Sequence, residues 1–329
     1  MIQLINNLIL YFFEIIYIFL KIETLEDKFH NHKKNHKQMN TVMLKFKNDA
    51  EYNIVKNNIF DIMDDPIFLN KFDVTRENII ENSNNKIGVV FKDNCIRVSF
   101  NHYYISGPNM FIILNRICGN NKVTFQKTNP LVGMLYLPLY FYDMMFLTKK
   151  TYLKGEQKVD VMVEKNIKTT NKRAYLSLSI LKKIYESLQL DRPMIAAFPI
   201  AFDDLPYIRN NVGIIIIKYE ITDTIETLDK KIKSAYYQCY CSNFIVNCPL
   251  PHFGNIEFRN YVDCIVSSMY IKSDFDFEIA WDCSKPPVEE LYAGSVSILK
   301  SNNTMDINFS FNTCSSEYKN NSECIEFFK

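Results

Sequence analysis

The chain has 329 residues, long enough for one large two-lobed domain or two medium ones around a sizeable buried core. Lys and Arg total 38 against 37 Asp and Glu, a net charge of +1, so no global field draws it to nucleic acid or to strongly acidic partners. Nine scattered cysteines make no disulfide framework in a chain of this length and point to a reducing compartment.

The N-terminus departs from a soluble domain. The run LILYFFEIIYIFL, Leu8 to Leu20, is apolar except for Glu14, and Ile2, Leu4 and Ile5 extend it around Gln3, Asn6 and Asn7. A membrane span wants about 20 apolar residues, and an acid at its centre costs roughly 2.5–3.5 kcal/mol on insertion scales. Residues 1–22 are therefore expected to be a membrane anchor, a helix lying in the membrane plane, or a mobile apolar extension. No basic stretch precedes the run and no small-residue cleavage site follows, which argues against a secretory signal. Residues 23–41 read as a polar linker whose basic part, HNHKKNHK from His30 to Lys37, would hold the following domain on the cytoplasmic side. His30, His32 and His36 read there as solvated side chains rather than metal ligands. The expected location is the cytoplasm, with membrane association through residues 1–22 left open.

From about Met43 the chain reads as mixed α and β. In NCIRVSFNHYYI, residues Ile96, Val98, Phe100, His102 and Tyr104 share one parity, so a strand would place the imidazole on the apolar face. A helix follows, PNMFIILNRIC, with Pro108 at its start and Gly119 at its stop. The apolar run from Leu131 to Leu147 is broken by Pro138 and contains Asp143, so it is expected to be core or a greasy surface rather than a simple span. A longer amphipathic helix is expected over Lys172 to Leu190, then the strands MIAAFPIAF and VGIIIIKYEI, then a helix over TIETLDKKIKSAYYQCY. The tail is β-rich, and Met305, Ile307, Phe309 and Phe311 alternate with polar residues after the turn SNNT, which predicts a closing hairpin.

Chemistry-bearing patterns are few. Cys239, Cys241, Cys248 and His252 offer four zinc ligands, but Cys-x-Cys spacing is unusual and buried, incidental thiols are the expectation, with no metal. No Gly-rich phosphate loop, nucleophile elbow or kinase signature is present, and a chain with 8 glycines has little material for one. Asn and Lys runs are discounted, because a chain rich in Asn, Lys, Ile, Tyr and Phe fits an A/T-rich coding sequence.

The order strand, His102, Gly107, helix resembles the His-His-x-x-x-Asp-Gly signature of the chloramphenicol-acetyltransferase-like superfamily, which includes condensation domains and wax ester synthase/diacylglycerol acyltransferases. Here the segment is Asn101-His102-Tyr103-Tyr104-Ile105-Ser106-Gly107. Downstream, KTTNKRAYLSLSILKKIYESL is similar to the helix opening the second lobe of the wax synthases, with Thr169, Thr170 and Asn171 standing where that family has Thr-x-Asn-Asp. IAAFPIAFDDLPYIRNNVG resembles its Pro-containing strand, DCIVSSMY its Asp-x-x-x-Ser-Asn segment, and LYAGSVSILKSNNTMDINFSF its closing hairpin.

The resemblance implies an α/β fold of two acyltransferase-like lobes, residues 42–165 and 166–329, with mixed sheets, flanking helices and a tunnel between the lobes. It implies acyl transfer from an acyl-CoA or carrier-bound thioester to an alcohol or amine, with His102 as general base and Ser268 or Ser267 as the nearest oxyanion donor. Ser106, Gly107, Asn171 and Ser267 would contact substrate; acyl-CoA would be a substrate, and no cofactor or nucleic acid is implied. His suits the role, because its ordinary pKa lies near physiological pH. Ser106 stands where the family carries Asp, Asn101 replaces its first His, and Lys172 replaces a second-lobe Asp. A serine cannot sustain the ion pair that the Asp makes, so whether the chain is an enzyme stays open. The alternatives are a catalytically inactive relative that binds lipid or another protein, and a membrane-tethered structural protein whose resemblance is accidental.

Overall fold

A computed structural model describes residues 2–20, 39–64, 72–75, 87–101, 107–120, 123–147, 158–168, 172–188, 190–203, 211–248, 262–273, 275–282, 292–299 and 304–313. Its contacts divide the chain into two compact units interleaved along the sequence. One comprises Met1–His36, Thr124–Leu153 and Arg173–Val266; the other comprises Lys37–Val123, Lys154–Lys172 and Ser267–Lys329.

The unit containing Lys37–Val123 is built on a five-stranded sheet of order β2-β3-β4-β1-β9, with β1 Met39–Phe46, β2 Phe72–Thr75, β3 Ile87–Lys92, β4 Cys95–Asn101 and β9 Phe277–Asp282. The turn between β3 and β4 holds Asp93 at φ 47 and Asn94 at φ 58. Two left-handed residues are what a two-residue hairpin with type I′ geometry demands, and Asp and Asn tolerate that region better than other side chains. Alternation then sets the core: Val42 and Leu44 on β1, Ile96, Val98 and Phe100 on β4, and Ile87 and Val89 on β3 are all buried. Helices α2, Asp49–Met63, and α3, Gly107–Ile117, cover that face with Val55, Ile59 and Ile62, and with Met110, Ile113, Leu114 and Ile117. The spacing in each case is that of one helical stripe. Gly119 at φ 82 ends α3, as its place after the last apolar residue predicts. The expected hairpin is present in the same unit, with β10, Tyr292–Leu299, antiparallel to β11, Thr304–Thr313, and β11 antiparallel to β5, Lys158–Lys168.

In the other unit β6, Met194–Ala201, pairs antiparallel with β7, Val212–Tyr219, and parallel with the start of β8, Cys264–Lys272, through Ala196 and Ala197. Helices α1 (Ile2–Leu20), α4 (Pro130–Met145), α5 (Lys172–Leu188), α6 (Ile225–Ser234) and α7 (Tyr237–Asn247) carry the rest. The single helix expected over TIETLDKKIKSAYYQCY is two. Thr224 and Thr227 close a reciprocal capping box at the start of α6. At its end the Ser234 hydroxyl donates to the Lys231 carbonyl at 2.9 Å, and the chain restarts as α7.

That restart lets α7 run beside β7, which among the described residues has a strand on one side only. An open strand edge presents unpaired backbone groups. Here helix side chains satisfy them: Gln238 Oε1 accepts from Ile216 N at 2.8 Å, Ser242 Oγ accepts from Ile214 N at 2.6 Å, and Asn243 Nδ2 donates to the Val212 carbonyl at 3.1 Å. Successive helical turns thus meet every second strand residue.

The two apolar runs are resolved as well. The run from Leu131 is helical through Pro138, and it buries only Pro130, Gly133 and Tyr140, so most of it is surface rather than core. The N-terminal run is helical too and is not a free extension. Asn6 Oδ1 accepts from the Leu131 N–H at 3.1 Å at the start of α4, and the Phe13 ring lies 5.8 Å from that of Phe244 on α7. Among the described residues no helix is long and apolar enough to cross a membrane.

Candidate functional site

Strand β4 buries Ile96 and Val98 fully and Phe100 to 1 % exposure, so its even-numbered residues face the core. His102, Ser106 and Asn171 themselves lie outside the described residues, as do Tyr103, Tyr104, Thr169, Thr170 and His252. Gly107, Ser267 and Ser268 are described. Gly107 opens α3, and a Cβ placed on it would meet nothing within 4 Å. Packing against the described residues therefore does not demand glycine there.

Ser267 and Ser268 sit in the middle of β8, both half-buried. Before them the buried positions are Cys264 and Val266; after them they are Met269 and Ile271. The buried parity of the strand changes at the two serines, and the boundary between the compact units falls there, between Val266 and Ser267.

One amide joins the helix that carries Gly107 to the strand that carries the serines. Asn115, 1 % exposed on α3, donates to the Phe111 carbonyl at 2.9 Å and the Tyr270 carbonyl at 3.1 Å. Its oxygen accepts from Lys272 N at 3.1 Å and Asn120 Nδ2 at 3.0 Å. All four hydrogen-bonding positions of the side chain are used. Asn115→Ala would strand a backbone donor and a backbone acceptor of β8. A loss of about 1–3 kcal/mol is expected in urea unfolding, with Asn115→Asp at least as damaging, because it removes both donors and buries a charge.

The start of β8 is fixed by a second device. Arg192 grips Asp263 with Nη1–Oδ2 2.9 Å and Nη2–Oδ1 2.7 Å, while Ile195 N donates to Oδ2 at 2.7 Å. Asp263 is 3 % exposed, whereas the Arg192 side chain is 40 % exposed, so solvent screens part of the ion pair. The larger loss in Asp263→Ala is the acceptor for Ile195 N–H and for the fork geometry of the guanidinium. Destabilisation of about 2 kcal/mol is expected from thermal or urea melts. Arg192→Lys, which keeps the charge and loses the fork, should cost less than half of that.

Residues that sequence reasoning passed over form a buried polar cluster in the same unit. Asp203 Oδ1 accepts from Thr128 N and Oγ1, both at 2.8 Å, and Asn211 Nδ2 donates to Thr128 Oγ1 at 2.8 Å. Asn211 Oδ1 accepts from Asn243 Nδ2 at 2.7 Å and Asn247 Nδ2 at 2.8 Å. The cluster ties the segment before α4 to the end of β6, the start of β7 and α7. A cleft of about 340 Å³ lies in the same unit towards the other end of β7, lined by Asp143, Lys218, Glu220, Lys231, Tyr237 and Gln238 among others. Two of its charged side chains have partners: Lys231 Nζ lies 2.7 Å from Asp223 Oδ2, and Asp143 Oδ2 accepts from the Tyr237 hydroxyl and from Gln238 Nε2 at 3.0 Å. Burial, and then the hydrogen bond to Asp143, pushes the Tyr237 phenol up to about 12. None of the sequence-predicted site residues lines this cleft.

The cysteines considered for zinc are on or next to α7. Burial pushes the thiols of Cys239 and Cys241 up to about 12, disfavouring the thiolate that zinc takes. Among the described residues no cluster of His, Cys, Asp and Glu is arranged to hold a metal.

No family model matches the chain, and no curated protein matches it. Solved structures do. The starter condensation domain of rhizomide synthetase RzmA, a double mutant in complex with C8-CoA and Leu-SNAC, superposes with a TM-score of 0.57 at 6 % identity over 89 % of this chain and 88 % of that one. The same domain with C8-CoA alone gives 0.57 at 5 % identity over 93 % and 91 %. A form in a "product-released" conformation gives 0.56 at 7 % identity over 89 % and 88 %. With two mixed sheets, flanking helices and this coverage, the chain has the α/β fold of the condensation domains.

Proposed function

We propose that this protein transfers an acyl group from an acyl thioester, either an acyl-CoA or a carrier-bound acyl chain, to an alcohol or amine acceptor. The observation that carries the reading is the fold likeness, over nearly nine-tenths of both chains, to a domain whose structure holds C8-CoA and Leu-SNAC. The position of a histidine in the segment between β4 and α3 supports it, since that is where the chloramphenicol-acetyltransferase-like signature carries its base. The reading takes 42–165 and 166–329 as the two lobes and a tunnel between them as the substrate path.

In this reading His102 accepts the proton of the acceptor hydroxyl or amine as that atom attacks the thioester carbonyl. The tetrahedral oxyanion draws on Ser268, with Ser267 as its neighbour on β8. The C–S bond then breaks, and the imidazolium returns its proton to the leaving thiolate. The peptide at Ser106 and Gly107 and the side chain of Asn171 contact the substrates. Catalysis needs no metal or organic cofactor, because the thioester itself is the activated group, and the cytoplasm supplies it. A wax-synthase-like preference for lipid substrates is the narrower form of the same proposal.

Ser106 favours a second reading. Without the motif carboxylate the His-bearing segment has lost an ion pair that would hold it, and the chain would then bind an acyl ligand without turning it over. Thiol release from a panel of acyl-CoA donors, set beside acyl-ligand binding measured by calorimetry, separates the two. Turnover supports the transferase, tight binding without turnover supports the inactive binder, and neither would overturn both.

A further inference from the structure

The described residues include 16 exposed large apolar side chains, and they are not spread evenly. Seven are on α1: Ile2, Leu4, Ile5, Leu8, Tyr11, Phe12 and Ile18. Seven more are on α4 and its cap: Met134, Leu135, Tyr136, Leu139, Tyr142, Met145 and Phe146. Only Ile54 and Ile221 lie elsewhere. The two helices are neighbours, joined by the bond from Leu131 N to Asn6. On α4 the exposed positions 134, 135, 138, 139, 142, 145 and 146 follow a helical period and make one continuous stripe. Soluble monomers rarely leave a contiguous apolar patch of more than a few hundred Å² uncovered.

The charges say what covers it. The one charged residue of α1, Glu14, is half-buried, and no exposed residue of either helix is charged. The single acid of α4, Asp143, is turned away from the stripe and held by Tyr237 and Gln238 of α7. The exposed polar side chains of α1, Gln3 and Asn7, bond to each other at 3.2 Å. Tyr11, Tyr136 and Tyr142, each with an apolar ring and a polar tip, are the side chains enriched at a membrane–water boundary. After α1 the sequence continues into His30–Lys37, with Lys33, Lys34 and Lys37. A lysine-rich segment that follows an apolar helix in sequence is complementary to anionic headgroups. A protein partner would be expected to meet hydrogen-bonding or charged groups at the rim of its patch.

We propose that α1 and α4 together form a membrane-seating face, which lies in the headgroup–acyl boundary of an anionic bilayer without crossing it. This goes beyond an N-terminal anchor, because half of the face comes from α4, and it does not depend on the acyl-transfer reading.

The test uses the full chain with sedimentable vesicles of phosphatidylcholine, alone or mixed with phosphatidylserine. The wild type should co-sediment with both and more strongly with the anionic ones at low salt. Leu135→Glu and Phe12→Glu, with circular dichroism confirming their fold, should each reduce partitioning about tenfold or more. Replacing Lys33, Lys34 and Lys37 by Gln should abolish the anionic preference while leaving binding to phosphatidylcholine. Met145→Trp keeps the face apolar and covers the case in which the glutamate variants misfold; its emission should be quenched by brominated acyl chains. No vesicle binding by the wild type, undiminished binding by folded glutamate variants, or no quenching of the new tryptophan would each overturn the proposal. A dimer in light scattering that Leu135→Glu converts to monomer, with no vesicle binding, would overturn it in favour of a second copy of this chain. Acyl-transfer assays with soluble acyl-CoA read the other proposal separately.

Discussion

His102→Ala is expected to lower acyl-transfer turnover by about 10²–10⁴-fold, the range that a positioned acid–base group supplies. Thermal stability should hardly move, since removing a base acts on the transition state more than on the fold. Ser106→Asp tests the missing ion pair. A carboxylate helps if a cation lies within reach, raising turnover and melting temperature together; with no cation it is an unpaired charge and lowers both. Turnover undiminished in His102→Ala would remove the proposed mechanism, and an absence of turnover in every variant alongside tight acyl-ligand binding would favour the inactive binder.

Much of the architecture was legible because it rests on local periodicity. The β4 alternation, the Pro108 start and Gly119 stop of α3, and the closing hairpin all follow from side-chain order and from what Gly and Pro permit. The residues that fix the candidate site were harder to read, for a physical reason that Asn115 illustrates. An asparagine inside an apolar helix is a poor helix former and should draw notice. In an Asn-rich chain that signal was discounted together with the noise, and Asn211, Asn243 and Asn247 were lost with it. Each is buried and bonded to groups distant in sequence, such as Tyr270 for Asn115 and Thr128 for Asn211, and a linear pattern does not reveal such partners. Asp263 was found as part of a motif, but its partner Arg192 sits in a turn with no periodicity of its own.

The strand β8 shows a different limit. Its sequence, CIVSSMYIK, has apolar residues on both parities and reads as one buried strand. In the fold its buried parity changes at Ser267 and Ser268, which sit between Val266 in one unit and Met269 in the other. Two small hydroxyl residues carry little packing value, so their presence there costs the core little, and both are half-buried.

Gly213→Ala is expected to be the most destabilising single-methyl change in the first-described half of β7, at about 3 kcal/mol or more in urea unfolding. Two effects oppose each other. Replacing glycine with alanine in a strand removes unfolded-state freedom and favours folding by about 0.4–1 kcal/mol. Against it, a Cβ at 213 would overlap the Cys239 carbonyl oxygen and lie 2.7 Å from its carbon, far inside van der Waals contact. The obstacle is backbone of α7, and it cannot swing aside as a side chain would. Moving α7 outward would stretch the bonds from Gln238, Ser242 and Asn243 that satisfy the edge of β7. The steric term therefore wins by a wide margin. Gly133→Ala should behave similarly where α4 meets α7, with a Cβ 2.6 Å from the Tyr240 oxygen. Gly88→Ala is the control: its nearest neighbour would be the Ser99 oxygen at an ordinary 3.8 Å, so stability should stay within about 1 kcal/mol of wild type. If Gly213→Ala melted with Gly88→Ala rather than with Gly133→Ala, the close seating of α7 on β7, and the helix-stitched edge that depends on it, would have to be abandoned.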